Sequence, residues 1–217
     1  GMKERIQRHL KAHFNPEERA DQIALDVGCH IGGMVKVLKS HFDVCWGVDT
    51  SFEKVLIAAS IFKRGYPSLG TYRINMTCSK SIAKSFYEKK SNDVEFAVGS
   101  IDNLPFREKA FATVNCLNVL EFSKNGKRAL NALFRIIRPG GLFFYSSPYT
   151  YLPQDNPFDN ILRKGDSDPA KGISKYIQRH LKIMEEINEL PWLHWIYDRQ
   201  MEIWWVHFIT AIANKKL

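Results

Sequence analysis

The sequence has few cysteines, no long apolar run and no arginine-rich segment, and each absence excludes a class of protein. The four cysteines among 217 residues include no C-x-x-C pair, which argues against a zinc site and against a disulfide scaffold. No apolar run approaches the roughly 18–20 residues that a membrane-spanning helix needs. The residues that follow Met2 are charged and show no secretory signal. We therefore expect a cytoplasmic globular protein without a membrane span.

The charge balance is basic, with 31 lysines and arginines against 23 acidic residues and a net charge of +8. These basic residues are scattered along the chain, with only short clusters such as residues 89–90 and 215–216, and no RNA-recognition motif accompanies them. This distribution favours a solvated basic surface over a nucleic-acid site. Attraction to RNA or to an anionic substrate stays open as the alternative.

The length and composition predict a single domain over residues 1–217. A hydrophobic content of 45% in a chain of this length is enough to bury a core. Within the domain we expect an N-terminal helix and lead-in over 2–21 and a substrate-side loop and helix over 148–188. Residues 63–93 are predicted to be an insertion, because a doubly wound unit ordinarily makes this connection in far fewer residues.

The most informative stretch is 23–51, which predicts a strand, a tight turn, a helix and a second strand. Its first apolar run leads into Asp26 and Gly28, apolar residues then recur at helical spacing, and a second apolar run ends at Asp49. In an open parallel sheet, ligands bind at the carboxyl ends of the strands, and an acid there can accept the hydroxyl protons of a ribose. This arrangement predicts a nucleotide-type cofactor site.

The turn in this stretch differs from a dinucleotide fingerprint. A G-x-G-x-x-G turn would have glycine where this sequence has His30, in the spacing Asp26-x-Gly28-x-His30-x-Gly32. An acid two residues before the first glycine suits a ligand with an ammonium group, which dinucleotides lack at that point. The turn resembles motif I of the class I S-adenosylmethionine-dependent methyltransferases, usually (D/E)-x-G-x-G-x-G, with His30 as a departure. The resemblance implies S-adenosyl-L-methionine as cofactor.

Three later stretches resemble the same family and follow in its order. Residues 99–106 resemble motif III, commonly G-D-x-x-x-L-P-F, with Ser100 in place of the aspartate. Residues 118–122 match a segment that often ends in L-E-H, and R-P-G-G followed by L-F-F-Y spans 138–145. The resemblance implies an α/β, doubly wound, Rossmann-like fold. Its sheet would have seven mostly parallel strands, with an antiparallel last strand.

The resemblance also implies roles for individual residues at the cofactor. Ser100 or Asp102 would meet the adenine edge, with Ser100 favoured and Ile101 packing on the ring, and Leu117 would touch the methionine portion. The predicted cofactor-binding residues are Asp26, Gly28, Cys29, His30, Gly32, Asp49, Thr50, Ser100, Ile101, Asp102 and Leu117.

Two residues are candidates for catalysis, Tyr149 and Glu121. An activated sulfonium methyl can be transferred largely by proximity and alignment, so the reaction does not require a catalytic residue. For Glu121, the more favoured interpretation is a surface acid at the start of a helix. No carboxylate cluster in the sequence suits a divalent ion, so we predict no metal.

The C-terminal third predicts a helix over 171–187 followed by two strands. Apolar residues at helical spacing indicate the helix, and apolar and aromatic runs over 190–197 and 203–213 indicate the strands. An antiparallel pair that closes the sheet is expected for this fold. The tryptophans at 192, 195, 204 and 205 are interpreted mostly as core and sheet-face residues.

A narrower resemblance is carried by residues 28–32, 147–151 and 190–193, which read G-C-H-I-G, S-P-Y-T-Y and L-P-W-L. They resemble the methyltransferase domain of ovothiol-biosynthesis enzymes, which methylate a ring nitrogen of a thiolated histidine. That family typically reads G-C-A-V-G and S-P-Y-T-W in the first two places. The arginine of the family's third motif comes later in this sequence, at the end of residues 196–199. We therefore do not assign the family's substrate to this protein. What remains is the hypothesis that Tyr149, Thr150 and the loop over 154–166 face a small polar acceptor.

The resulting prediction is a methyltransferase that transfers a methyl group from S-adenosyl-L-methionine to a small-molecule acceptor, with an imidazole or amine nitrogen as one possibility. An RNA or protein methyltransferase that uses the basic surface is one alternative. A non-catalytic S-adenosylmethionine-binding protein is the other, because His30, Ser100 and Ala112 depart from the family pattern. The sequence specifies neither the acceptor atom nor the oligomeric state.

Overall fold

A computed structural model describes residues 1–15, 22–64, 93–150, 156–158, 161, 168–195 and 201–214. The helices within this part of the chain are α1 (Met2–His13), α2 (Gly33–Lys39), α3 (Phe52–Arg64), α4 (Gly126–Ile136) and α5 (Pro169–Gln178), with a 3-10 turn at Leu120–Phe122. The strands are β1 (Ile23–Val27), β2 (Val44–Asp49), β3 (Val94–Val98), β4 (Phe111–Leu117), β5 (Ile137–Ser147), β6 (Leu181–Trp195) and β7 (Met201–Ala213).

The seven strands form one sheet in the order β3-β2-β1-β4-β5-β7-β6. The strands from β3 to β5 pair in parallel, and β7 runs antiparallel to both β5 and β6. The predicted mostly parallel sheet with an antiparallel last strand is therefore confirmed. The chain reverses its direction across the sheet between β1 and β4, and ligands of open α/β sheets bind at such a switch point.

Each face of the sheet carries its own apolar core. One core contains buried side chains from α4 and α5, including Leu130 and Ile173, and the other contains side chains from α1 and α2, including Ile6 and Leu38. The central strand β4 is buried at its first six positions, as expected for a parallel strand covered on both faces. None of the helices in the described residues is long and apolar enough to cross a lipid bilayer.

The N-terminal helix α1 is confirmed and is joined to β6 by one carboxylate. Glu185 Oε1 accepts hydrogen bonds from Arg5 Nη1 at 2.6 Å and from Arg8 Nη2 at 2.7 Å. The His9 Nε2 atom lies 2.8 Å from the other oxygen, Oε2. The buried residues of α1, such as Ile6, pack in the apolar core on this face of the sheet. Polar and apolar contacts together therefore hold α1 on the sheet.

The predicted helix over 171–187 is wrong in its second half. The helix α5 ends at Gln178, and β6 begins at Leu181. The register of β6 against β7 shifts between Ile183 and Glu185 and again between Ile187 and Leu190. Each bulge inserts an extra residue, so the apolar residues lose the strict alternation of a strand and fall at spacings of three and four, which imitate a helix.

Two other predicted boundaries differ from the structure. The strand predicted to begin at Leu142 begins at Ile137, because Ile137 already pairs with Phe111 on β4 before the register shifts. The R-P-G-G segment therefore lies within the bulged start of β5 rather than before it. Nearly all of the predicted insertion over 63–93 lies outside the described residues.

We expect Glu185→Gln to lower the free energy of unfolding by about 1–2 kcal/mol at neutral pH, because it weakens charge-assisted hydrogen bonds to α1. Burial raises the pKa of Glu185, but hydrogen bonds from His9 and Arg8 and the charges of Arg8 and Arg5 outweigh it and lower the pKa overall. The stabilisation is therefore present above the ordinary carboxyl value of 4.5 and is lost as pH falls through the lowered pKa.

Urea unfolding of the wild type and Glu185→Gln at several pH values measures this contribution. The matched control is Glu189→Gln, which neutralises an exposed carboxylate on the same strand. An equal loss of stability in the two variants, or a loss that does not shrink in acid, would contradict the proposed role of Glu185.

Candidate active site

The turn between β1 and α2 depends on two glycines with left-handed backbone, Gly28 with φ of 73° and Gly32 with φ of 88°. A Cβ atom at Gly28 would lie 2.1 Å from Val119 Cγ2, and one at Gly32 would lie 2.7 Å from the Phe62 ring. Both the conformation and the space therefore require glycine. His30 also has a positive φ, of 50°, with its side chain exposed. The turn thus accommodates this departure by holding a histidine in the conformation that a glycine adopts readily.

Asp49, at the end of β2, connects this turn with the next helix. Its Oδ2 atom accepts a hydrogen bond from the His30 amide at 3.0 Å, and its Oδ1 atom accepts one from the Ser51 amide at 2.9 Å. The Asp49 carbonyl accepts a hydrogen bond from the Gly99 amide at 3.0 Å. A carboxylate has about four acceptor positions, so both oxygens keep capacity for further donors. The neighbouring Thr50 is exposed at the same edge of the sheet.

Asp26 lies one strand away, opposite Gly47 on β2 and Asn115 on β4. Its side chain is buried, and burial raises its pKa to about 8, opposed by the Asn115 side chain and reinforced by the negative charge of Asp49. The carboxyl group is therefore mostly protonated at neutral pH. A cation bound beside it would favour the ionised form and lower the pKa. Burial also raises the pKa of the Cys29 thiol, which is thereby kept from acting as a nucleophile.

The loop after β3 contains the predicted adenine-site residues. Ser123 Oγ donates to Asp102 Oδ1 at 2.6 Å, and the Lys124 amide donates to Asp102 Oδ2 at 3.2 Å. Asp102 thereby joins the loop to the segment that follows β4. The Ser100 hydroxyl accepts from the Asp102 amide at 3.2 Å and keeps its own proton to donate. The Ile101 side chain is buried in the core beneath the loop.

Glu121 is a buried carboxylate, which corrects the favoured interpretation of it as a surface acid. Its side chain lies in the 3-10 turn after β4 and accepts a hydrogen bond from Ser147 Oγ at the end of β5. Burial raises the pKa of Glu121, against the hydrogen bonds from Ser147 and from the Glu121 and Tyr149 amides. Leu117, the last residue of β4, and Asn118 lie just before this turn. Leu117 is half-buried. The Oδ1 atom of Asn118 accepts a hydrogen bond from Ser146 Oγ at 2.7 Å.

Tyr149 follows β5 and contacts a histidine that the sequence analysis did not identify. Its hydroxyl oxygen lies 2.6 Å from His207 Nδ1, and the two rings stack with their centroids 5.8 Å apart. His207 Nε2 lies 3.0 Å from Glu186 Oε1. The signal for His207 in the sequence is a single ionisable residue inside the apolar run that forms the centre of β7. Its partners could not be read from that run.

The structure brings the predicted site residues to one edge of the sheet, at the carboxyl ends of β1 to β5. Asp26, the glycine turn, Asp49 and Ser100 lie at the ends of β1, β2 and β3. Glu121 and Tyr149 lie after β4 and β5 and share Ser147, whose Oγ accepts from the Tyr149 amide at 3.0 Å. Among the residues that the structure describes, no three His, Cys, Asp or Glu side chains cluster so as to hold a metal ion.

Comparison with known proteins identifies a family over most of the chain. The family described as "Methyltransferase domain" matches residues 2–203. An uncharacterized methyltransferase of Bacillus subtilis, YcgJ, is 23% identical over 146 residues, which are 67% of this chain and 47% of that protein. A ubiquinone biosynthesis O-methyltransferase of Coxiella burnetii is 24% identical over 157 residues, which are 69% of this chain and 56% of that protein. The chain spans about half the length of these curated relatives.

Solved structures with the same fold cover nearly the whole chain. The crystal structure of YcgJ superposes with a TM-score of 0.58 at 16% identity, covering 95% of this chain and 97% of that one. The N-methyltransferase NodS of Bradyrhizobium japonicum, in complex with S-adenosyl-L-homocysteine, superposes with a TM-score of 0.57 at 12% identity, covering 97% and 86%. None of these proteins supports the narrower resemblance to ovothiol-biosynthesis enzymes. This chain belongs to the methyltransferase-domain family and has the class I fold, and the cofactor expected of that family is S-adenosylmethionine.

Proposed function

We propose that this protein is an S-adenosylmethionine-dependent methyltransferase that acts on a small molecule. The observation that supports the cofactor best is the Asp49 carboxylate, fixed by the His30 and Ser51 amides beside a glycine turn. A carboxylate in this position, with acceptor capacity to spare, suits the two hydroxyl groups of a ribose.

The other predicted residues take roles around that contact. Ser100 donates to the adenine edge, since the Asp102 carboxylate already accepts from Ser123 and Lys124. Asp26 provides a carboxylate for the ammonium group of the methionine portion, and Leu117 packs against that portion. The backbone from Cys29 to Gly32 and the exposed Thr50 line the proposed cofactor site.

The chemistry that the cofactor supplies is a methyl group on a positively charged sulfur. The protein's part is to align an acceptor nucleophile with that group, and alignment alone can supply much of the rate enhancement. Among the polar groups that the structure describes, Glu121 follows β4 and Tyr149 follows β5, at the edge of the sheet proposed to hold the cofactor. They are the residues that would orient the acceptor.

The acceptor we propose is a small polar molecule, with an imidazole or amine nitrogen as the first candidates. Proteins similar to this chain include an O-methyltransferase and an N-methyltransferase, so both kinds of acceptor atom occur among them. A panel of histidine, imidazoles, amines and phenols, assayed with isotopically labelled S-adenosylmethionine, tests this assignment. The net charge of +8 favours RNA as the alternative acceptor. Strongly salt-dependent RNA binding together with RNA methylation would support that alternative.

Asp49→Asn is expected to weaken S-adenosylmethionine binding by about ten-fold or more, because an amide offers one acceptor oxygen in place of two. Isothermal titration calorimetry with S-adenosylmethionine and S-adenosylhomocysteine measures the change. The control is Asp43→Asn, an exposed acid just before β2. Unchanged affinity in folded Asp49→Asn would refute the ribose assignment.

Cofactor binding near pH 7 is expected to release a proton. Asp26 has a pKa of about 8 in the free protein, and an ammonium group beside it would lower that value, so binding at a pH below 8 ionises the carboxyl group. Calorimetry in buffers of different ionisation enthalpy counts the proton released, up to one per cofactor. Asp26→Asn should bind without this release. A wild-type protein that binds with no proton release would contradict the contact between Asp26 and the ammonium group.

A further inference from the structure

We propose that Tyr149, His207 and Glu186 form a proton relay that takes the proton from the methyl acceptor. This inference rests on the proposed methyltransferase function and adds the route by which the nucleophile loses its proton. Tyr149 is the catalytic residue of the relay, and His207 and Glu186 are positioning residues that act through it.

Strand pairing brings the three residues together. His207 on β7 pairs with Ser147 on β5, two residues before Tyr149. Glu186 on β6 pairs with Ile209, so its side chain lies on the same face of the sheet as that of His207. The register shift between Ile183 and Glu185 produces this arrangement, because the bulge places Glu185 toward α1 and the next residue toward His207.

The contacts of His207 fix the direction of proton transfer. The Glu186 carboxylate is an acceptor, so the imidazole Nε2 that lies 3.0 Å away carries the ring proton. In a neutral ring the Nδ1 atom then has a free lone pair, and the Tyr149 hydroxyl at 2.6 Å donates to it. The phenol oxygen keeps lone pairs for a proton from the acceptor. Ser174 Oγ donates to the same Glu186 oxygen and helps to hold it.

The ionisation of the two inner groups suits such a relay. Burial lowers the pKa of His207, against the opposing effect of Glu186 and Asp168, so the ring is neutral and able to accept a proton. Burial raises the pKa of the Tyr149 phenol, opposed by the Tyr145 hydroxyl and reinforced by the charges of Glu121, Asp168 and Glu186. Tyr149 therefore does not ionise alone. It can take a proton only as it passes its own to His207.

The acceptor heteroatom bonds to the methyl carbon. The carbon–sulfur bond breaks at the same time, and the electron pair of that bond stays on sulfur. The acceptor proton moves to the Tyr149 oxygen, and the phenol proton moves to His207 Nδ1. The resulting imidazolium is stabilised by Glu186, whose side chain is 32% exposed and passes the proton to solvent. The relay therefore suits an acceptor that carries hydrogen on its nucleophilic atom.

Nitrogen NMR of His207 tests the geometry without any acceptor. In protein saturated with S-adenosylhomocysteine, we expect the Nε2–H tautomer, with Nδ1 as a hydrogen-bond acceptor. Tyr149→Phe should shift the Nδ1 resonance toward that of a free lone pair. Glu186→Gln should lower the pKa of His207 by about one unit, because it removes a negative charge at hydrogen-bond distance. The control Glu189→Gln should change neither. An Nδ1–H tautomer in the wild type, or an unaltered pKa in Glu186→Gln, would overturn the relay.

Kinetics supply a second measurement for any acceptor that the wild type methylates in the panel described above. Tyr149→Phe is expected to lower kcat by about 10- to 100-fold with little change in KM or in S-adenosylhomocysteine affinity. Glu186→Gln should move the pH–rate profile in parallel with the pKa of His207. A kcat that is unchanged in Tyr149→Phe would overturn the catalytic role. Absence of cofactor binding in the wild type would instead refute the proposed function, whatever tautomer His207 adopts.

Discussion

The Asp49 carboxylate accepts backbone hydrogen bonds from two separate turns, and the arrangement of the cofactor edge depends on that contact. The His30 amide comes from the turn after β1, and the Ser51 amide precedes α3. The Gly28 and Cys29 amides also donate to the Val48 carbonyl, so side-chain and backbone contacts together join the turn after β1 to the end of β2. A left-handed His30 is tolerated because its amide is fixed in this way and its side chain projects into solvent.

Three carboxylates in the described part of the chain differ mainly in how fully hydrogen bonds and positive charges offset the cost of burying them. Burial raises the pKa of Asp26 and of Glu121, and the neutral hydrogen-bond donors beside Glu121 oppose that rise only in part. Glu185 is surrounded by Arg5, Arg8 and His9, and its pKa is lowered. A buried acid without a positive partner costs folding free energy, so its presence at the edge proposed to bind the cofactor is consistent with a functional role. Glu185, which is paired with basic side chains of α1, stabilises the fold.

The bulge in β6 directs the side chains of two neighbouring acids, Glu185 and Glu186, to opposite faces of the sheet. If the side chains of β6 alternated regularly from Ile183 through Met184, without the bulge, Glu186 would project to the face that holds α1. With the bulge, Glu185 contacts α1 and Glu186 contacts His207. A single irregularity in strand pairing thus provides both an anchor for the N-terminal helix and a carboxylate for the buried histidine.

The sequence by itself determined the glycine turn, the acid at the end of β2, the mostly parallel sheet and the family, because each is indicated by short stretches whose pattern is local. It indicated Tyr149 and Glu121 only as isolated residues. Tertiary structure decided that Glu121 is buried and that the predicted second half of a helix is a strand. It also decided that Tyr149 meets His207, 58 positions along the chain. Those features depend on strand register and bulges, and hydrophobic periodicity does not encode which distant residues face each other.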